Sequence, residues 1–162
     1  MKITESKIYR FLSIIPVLAV MVTIFYLSAQ TGEESAETSG GLMDFVLSLF
    51  FKNTLMNEFV SDLVHEFIRS LAHFAEYTLL GLLMYNAVNA FSIKRAPVVS
   101  VALSFIYALS DEIHQYFVPE RSFQLIDLAV DLGGIILGTV IIFLFFKLIN
   151  RISLKNKKEN AL

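Results

Sequence analysis

The sequence predicts an all-α integral membrane protein, a four-transmembrane-helix bundle with an extra interfacial helix in the first outer loop. Three observations predict it. Four apolar stretches, roughly 11–30, 71–91, 97–117 and 125–149, each supply the about 17–25 residues that a spanning helix needs. Basic residues gather on alternate connections. The polar residues inside the apolar stretches fall at one end of each stretch. Of the 162 residues, 56% are hydrophobic and the mean hydropathy is +0.65. Soluble domains disperse a smaller apolar share instead of blocking it in runs of about 20.

The first stretch begins after Lys7 and Arg10. Its apolar run from Phe11 to Leu27 is longer than the about 7–15 residues of a signal-peptide core, and Ser28-Ala29-Gln30 is a poor cleavage site. It is expected to stay as a helix. The first outer loop, about 31–70, has turn signals at Thr31-Gly32 and Gly40-Gly41, with a polar, irregular piece from Glu33 to Ser39. Leu42 to Phe51 is too short to span and carries Asp44, which suits the interfacial helix. From Asn57 the spacing of Phe59, Leu63, Phe67, Ile68 and Leu71 is helical and is expected to run unbroken into the second span. Pro97 opens the third, and 118–124, with Pro119, makes a short outer hairpin. Residues 1–153 form a single membrane domain, and 154–162 a basic, disordered cytoplasmic tail near anionic lipid. The chain has no cysteine, which excludes disulfides and thiolate metal sites.

Orientation follows from charge. With four crossings, Lys2, Lys7, Arg10, Lys94, Arg95, Lys147, Arg151, Lys155, Lys157 and Lys158 share one side. By the positive-inside rule that side is the cytoplasm, so the protein is multi-pass with both termini cytoplasmic. Glu33, Glu34, Glu37, Asp44, Glu58 and Asp62 take the other side.

The polar residues form a constellation. At about 1.5 Å per residue, Asp111 lies roughly 21 Å above Pro97, Glu76 about 22 Å from Phe91, and Asp131 about 24 Å from Lys147. All three reach the outer third of a hydrocarbon core of about 30 Å. Arg69, His73, Glu76 and Tyr77 share one helical face, and Tyr107, Asp111, His114 and Gln115 repeat that spacing with Glu112 beside the stripe. Asp127, Asp131, Gly134 and Gly138 share another face, whose glycines permit close helix approach. Charged groups at such depth cost about 2.5–3.5 kcal/mol each on insertion scales, so each is a functional-site hypothesis. Single polar residues also serve as interhelical hydrogen-bonding glue at about 0.6 kcal/mol apiece.

Glu76, Asp111, Glu112, Asp127 and Asp131 cannot all stay ionised and unpaired in low dielectric. Three arrangements relieve them: pairing with Arg69 and Arg121, protonation, or a bound divalent cation as cofactor. The metal candidates are His73, Glu76, Asp111 and His114; the catalytic candidates are Glu76, Glu112, His73 and Asp111. Candidate ligand-binding residues are Ser28, Gln30, Arg69, His73, Glu76, Tyr77, Tyr107, Asp111, Glu112, Gln115, Arg121, Asp127 and Asp131.

At these residues the sequence resembles the VanZ-like family of bacterial membrane proteins, named for an accessory teicoplanin-resistance protein. The matching pieces are Phe25-Tyr26-Leu27-Ser28-Ala29-Gln30 with Ser35 and Ser39, then Arg69 with His73-Phe74-Ala75-Glu76-Tyr77. Tyr107-Ala108-Leu109-Ser110-Asp111-Glu112-Ile113-His114-Gln115 follows, then Pro119-Glu120-Arg121, and lastly Asp127 with Asp131-Leu132-Gly133-Gly134 and Gly138. Ser110 is a departure, since many members carry another small residue there. The resemblance implies a module of the bacterial cell envelope, in the cytoplasmic membrane, linked to glycopeptide tolerance. A phosphotransbutyrylase activity attached to some members finds no support here, because there is no phosphate-cradling glycine loop.

Two functions compete. In the first, an outward polar pocket binds an anionic amphiphile, either an envelope lipid or the carboxylate end of a cell-wall precursor, and so modulates teicoplanin susceptibility. Arginine forks suit such groups. In the second, the protein is an intramembrane, metal-dependent hydrolase or transferase acting on a lipid-linked phosphate or glycan, with Glu112 or Glu76 as general base and Arg121 stabilising charge. Membrane lipids are the expected surroundings; no nucleic-acid partner is expected. The oligomeric state stays open.

Overall fold

The computed structural model describes residues 7–32, 34, 35, 37, 40, 41 and 58–159. Among them the chain is helical throughout: α1 (Lys7–Leu12), α2 (Ile14–Ser28), α3 (Glu58–Ala90), α4 (Ala96–Gln115) and α5 (Leu125–Glu159). The expected interfacial helix at Leu42 to Phe51, together with Asn57, lies outside the described residues.

The first apolar stretch divides in two because Pro16 has no N–H to give the Leu12 carbonyl, one turn back. Ser13 marks the break, its hydroxyl turned onto the Arg10 carbonyl at 2.7 Å. The loop after α2 departs from the irregular piece expected at Glu33 to Ser39. Residues 32, 34, 35 and 37 are helical. A capping box explains this: the Thr31 N–H donates to Glu34 Oε2 at 3.0 Å, and the Glu34 N–H donates to Thr31 Oγ1 at 3.2 Å. Thr31-Gly32 is a helix start, not a turn. The tail also departs from expectation, since α5 continues as far as Glu159. Its Lys155 lies near the helix C-terminus, where a cation complements the dipole.

The helix that begins at Glu58 runs unbroken to Ala90, as its periodicity predicts. At 33 and 35 residues, α3 and α5 are each roughly 50 Å long and form the principal pair of the bundle. Glycines make their approach close. A Cβ on Gly138 would overlap the Thr78 carbonyl, one on Gly81 the Ile135 carbonyl, and one on Gly134 would lie 2.5 Å from the Phe74 carbonyl. α4 packs on both long helices, and α2 lies chiefly on α3. On α4 the buried positions Ala96, Ser100, Ser104, Ala108 and Glu112 recur every four residues, and small side chains at four of them let the neighbours in.

Burial is inverted relative to a soluble bundle. Buried positions include Asp111, Glu112, Gln115, Asp127, Asp131 and His73, while Val22 is 67% exposed, Ile106 64% and Leu144 54%. An apolar exterior around polar seams belongs in lipid. Among the described residues three helical segments, Lys7–Ser28, Ala96–Gln115 and Leu125–Asn156, are long and apolar enough to cross a membrane. α3 is long enough but is not among them, because His73, Glu76, Asn86 and Asn89 interrupt its apolar run. The apolar core fills the middle of the bundle around Ile24, Tyr77, Leu80, Ala108 and Ile135. A second cluster of Tyr85, Val88 and Ala96 closes the end near the Lys94-Arg95 turn. The polar residues occupy the opposite end.

Candidate functional site

Three sub-sites share that polar end. The first centres on Asp111, where α4 meets α2 and α3. Its Oδ2 accepts from the Ser28 hydroxyl at 2.9 Å, the Tyr77 hydroxyl at 3.1 Å and the Gln115 amide at 3.1 Å. All four residues are buried. Three donors meeting one oxygen leave it saturated, so Asp111 acts as the knot that ties three helices. Tyr107, one turn below, donates to the Met21 carbonyl at 2.6 Å and fastens α4 to α2 again.

The second sub-site lies between α3, α4 and α5. His73 Nδ1 is 3.3 Å from Asp131 Oδ1, without hydrogen-bond alignment. Glu112 reaches the same place from α4, so that one ligand atom from each of His73, Glu112 and Asp131 lies within 4.8 Å of the others. Glu112 Oε2 is held by the Gln124 N–H at 3.0 Å, while its Oε1 and both Asp131 oxygens are buried and have no hydrogen-bond partner.

The third is a cavity of about 220 Å³ lined by Leu27, Ser28, Gln30, Ser35, Ile68, Arg69, Ala72, His73, Glu76 and Arg121. Arg69 donates to Asp127 Oδ2 at 2.8 Å, an ion pair that holds the first turn of α5 to α3. Arg121 sits in the 116–124 connection, just after Glu120 with its left-handed φ of 63°. Gly32 backs onto Glu120, so the loop after α2 closes over that connection. Among the described residues no carboxylate lies within 4.0 Å of the Arg121 guanidinium. Burial, reinforced by the nearby Arg69 guanidinium, pushes its pKa below the ordinary arginine value. Two like charges thus face one cavity and only one of them is paired.

A family model described as VanZ/LLP1 matches residues 13–147. The chain belongs to that family. The match covers the stretches 71–91 and 97–117 whole, nearly all of 11–30 and 125–149, and every candidate site residue. No curated protein and no solved structure matches the chain. With its three membrane-length helices, this member of the VanZ/LLP1 family is a membrane protein.

The structure places the sequence candidates in different roles. Ser28, Tyr77, Asp111 and Gln115 meet in the knot; Arg69 and Asp127 pair; Gln30, Glu76 and Arg121 line the cavity, where Ser28, Arg69 and His73 also contribute. Of the four metal candidates read from sequence, only His73 joins the group that could hold an ion. Asp111 Oδ2 is already taken by three donors, Glu76 lines the cavity, and His114 stacks on Phe25 with ring centroids 4.5 Å apart. Glu112 and Asp131 complete the group instead. Sequence reasoning set Glu112 beside the polar stripe, yet the small residues at 100, 104 and 108 turn it to the centre of the buried face.

Proposed function

We propose that this VanZ/LLP1 protein binds the anionic head group of an envelope lipid, or the carboxylate end of a cell-wall precursor, in the cavity between Arg69 and Arg121. The observation that carries this reading is Arg121, a half-buried guanidinium beside a second one and, among the described residues, with no carboxylate within 4.0 Å. A bidentate anion relieves the repulsion and meets the guanidinium fork, with Gln30 nearby to fix its orientation. α3 is taken as the fourth crossing despite its polar residues, a reading supported by its length and its packing along α5. The basic ends at Lys7, Lys94, Arg95 and Lys147 face the cytoplasm, both termini with them, and the cavity opens to the outer leaflet. There, holding or altering a precursor changes what a glycopeptide such as teicoplanin meets.

Purified protein titrated with a short-chain polyprenyl phosphate, with phosphatidylcholine as the neutral comparison, tests the reading. Arg121→Ala is expected to weaken polyprenyl phosphate binding at least about tenfold, or roughly 1.4 kcal/mol. Arg121→Lys, which keeps the charge but loses the fork, is expected to lose several-fold. Equal affinity in wild type and both variants sinks the proposal. One observation favours a catalytic version, hydrolysis or transfer on a lipid-linked phosphate or glycan. Glu76 lines the same cavity and makes no hydrogen bond among the described residues, which leaves it placed as a general base toward whatever the arginines hold.

A further inference from the structure

Asp131 is the least explicable residue in the bundle on packing grounds. It is fully buried, both of its oxygens lack a hydrogen-bond partner, and a second carboxylate, Glu112, lies close by, fully buried with Oε1 equally bare. An unpaired buried carboxylate costs several kcal/mol, and two together cost more. Arg69 cannot balance them, since it is engaged with Asp127. The neighbouring imidazole presents Nδ1, also buried and without a hydrogen-bond partner, toward Asp131. His73 Nδ1, Glu112 Oε1 and both Asp131 oxygens, from three helices, thus lie buried without an aligned hydrogen bond, His73 Nδ1 and Asp131 Oδ1 meeting only as an ion-pair contact at 3.3 Å. That is the inventory of a cation site.

We propose that His73 Nδ1, Glu112 Oε1 and Asp131 bind one divalent transition-metal ion, of the zinc or manganese class. One nitrogen and two carboxylates suit zinc or manganese better than calcium, which takes about 6–8 oxygens. Around an ion at about 2.1 Å, ligand atoms lie roughly 3.0–3.5 Å apart. The His73–Asp131 pair is already at 3.3 Å and the trio within 4.8 Å, so a rotamer adjustment of Glu112, the longest of the three, closes the set. The Gln124 N–H on Glu112 Oε2 supplies the kind of outer hydrogen bond that fixes a ligating carboxylate. Three protein ligands leave coordination positions for water or for an oxygen of a bound molecule. His73 also lines the arginine cavity, so the ion stands beside the space where an anion would sit. The site stands independently of the anion-binding reading, because neither arginine contributes to it.

The test uses the full chain in detergent, stripped with chelator and then titrated with zinc or manganese chloride alone, without lipid. The expected result is one equivalent bound per chain and a rise in the unfolding temperature. Glu112→Gln and Asp131→Asn, which keep side-chain shape, should each lower metal affinity by at least tenfold. His114→Asn, on the same end of the bundle but stacked on Phe25, should bind like wild type. Wild type that takes up less than stoichiometric metal and shows no thermal shift overturns the site. Equal loss in His114→Asn overturns it as well, since binding would then be nonspecific. Because lipid is absent throughout, failure here leaves the Arg121 result standing, and the reverse holds too.

Discussion

Asp111→Ala is expected to destabilise the bundle by about 2–4 kcal/mol, measured by reversible unfolding in mixed micelles. The substitution strips the acceptor from Ser28, Tyr77 and Gln115 at once, all three of them buried, and leaves the Gln115 amide only its longer 3.4 Å contact with the Ser28 hydroxyl oxygen. In soluble proteins three hydrogen bonds to a charged acceptor would total roughly 4.5–9 kcal/mol. Interhelical hydrogen bonds in membranes average only about 0.6 kcal/mol and reach about 1.7. The membrane figures govern, and the desolvated donors bring the sum to the stated range. Asp111→Asn keeps the shape and one acceptor oxygen, so its loss should be nearer 1 kcal/mol. A change below about 0.5 kcal/mol in the alanine variant would show that the knot does not hold the helices together.

Gly138→Ala has the second largest effect, and its sign is diagnostic. Alanine gains about 1 kcal/mol over glycine in helix propensity. At Gly138 the new Cβ would overlap the Thr78 carbonyl and lie 2.9 Å from the Leu82 nitrogen, both backbone atoms that cannot swing aside. Overpacking of that kind costs about 1–3 kcal/mol, so α3 and α5 must separate and the net change is destabilising. Gly133→Ala on the same helix meets only the Phe74 ring at 3.5 Å, an ordinary contact. That variant should be neutral or more stable. The same micelle unfolding decides between them: equal behaviour of the two would mean that close approach at Gly138 does not matter.

The sequence shows which end of the bundle holds the polar groups, because a charged side chain cannot be scattered along a lipid-facing helix without cost. The Gly134–Gly138 face is equally plain, since only small residues permit that approach. Azimuth on α4 is harder. A stripe drawn through Tyr107, Asp111 and His114 ignores Ser100, Ser104 and Ala108, whose size decides what the neighbours touch. Following those three one step further lands on Glu112. The Thr31–Glu34 capping box is a four-residue signal, and the adjacent glycine makes it look like a turn. Pro16 announces its own break, but a long apolar run conceals it. The placement of Arg121 in the cavity rests on the fold of the 116–124 connection and on Arg69 across the bundle, and no local pattern carries that.

The knot at Asp111 also orders the protein's biosynthesis. Its donors Ser28 and Tyr77 stand 83 and 34 residues earlier in the chain. At about 5–20 residues per second, Ser28 leaves the ribosome roughly 4–17 s ahead of the carboxylate it serves. When α4 enters the bilayer, the hydroxyls that donate to its carboxylate have already arrived, and Gln115 follows four residues later. The aspartates of α5 come last, after Arg69 and His73 are in place to receive them. Asp111, Asp127 and Asp131 are each made after Ser28, Tyr77, Arg69 and His73, the side chains of α2 and α3 that meet them, whereas Glu112 is made twelve residues before the Gln124 N–H that holds its Oε2.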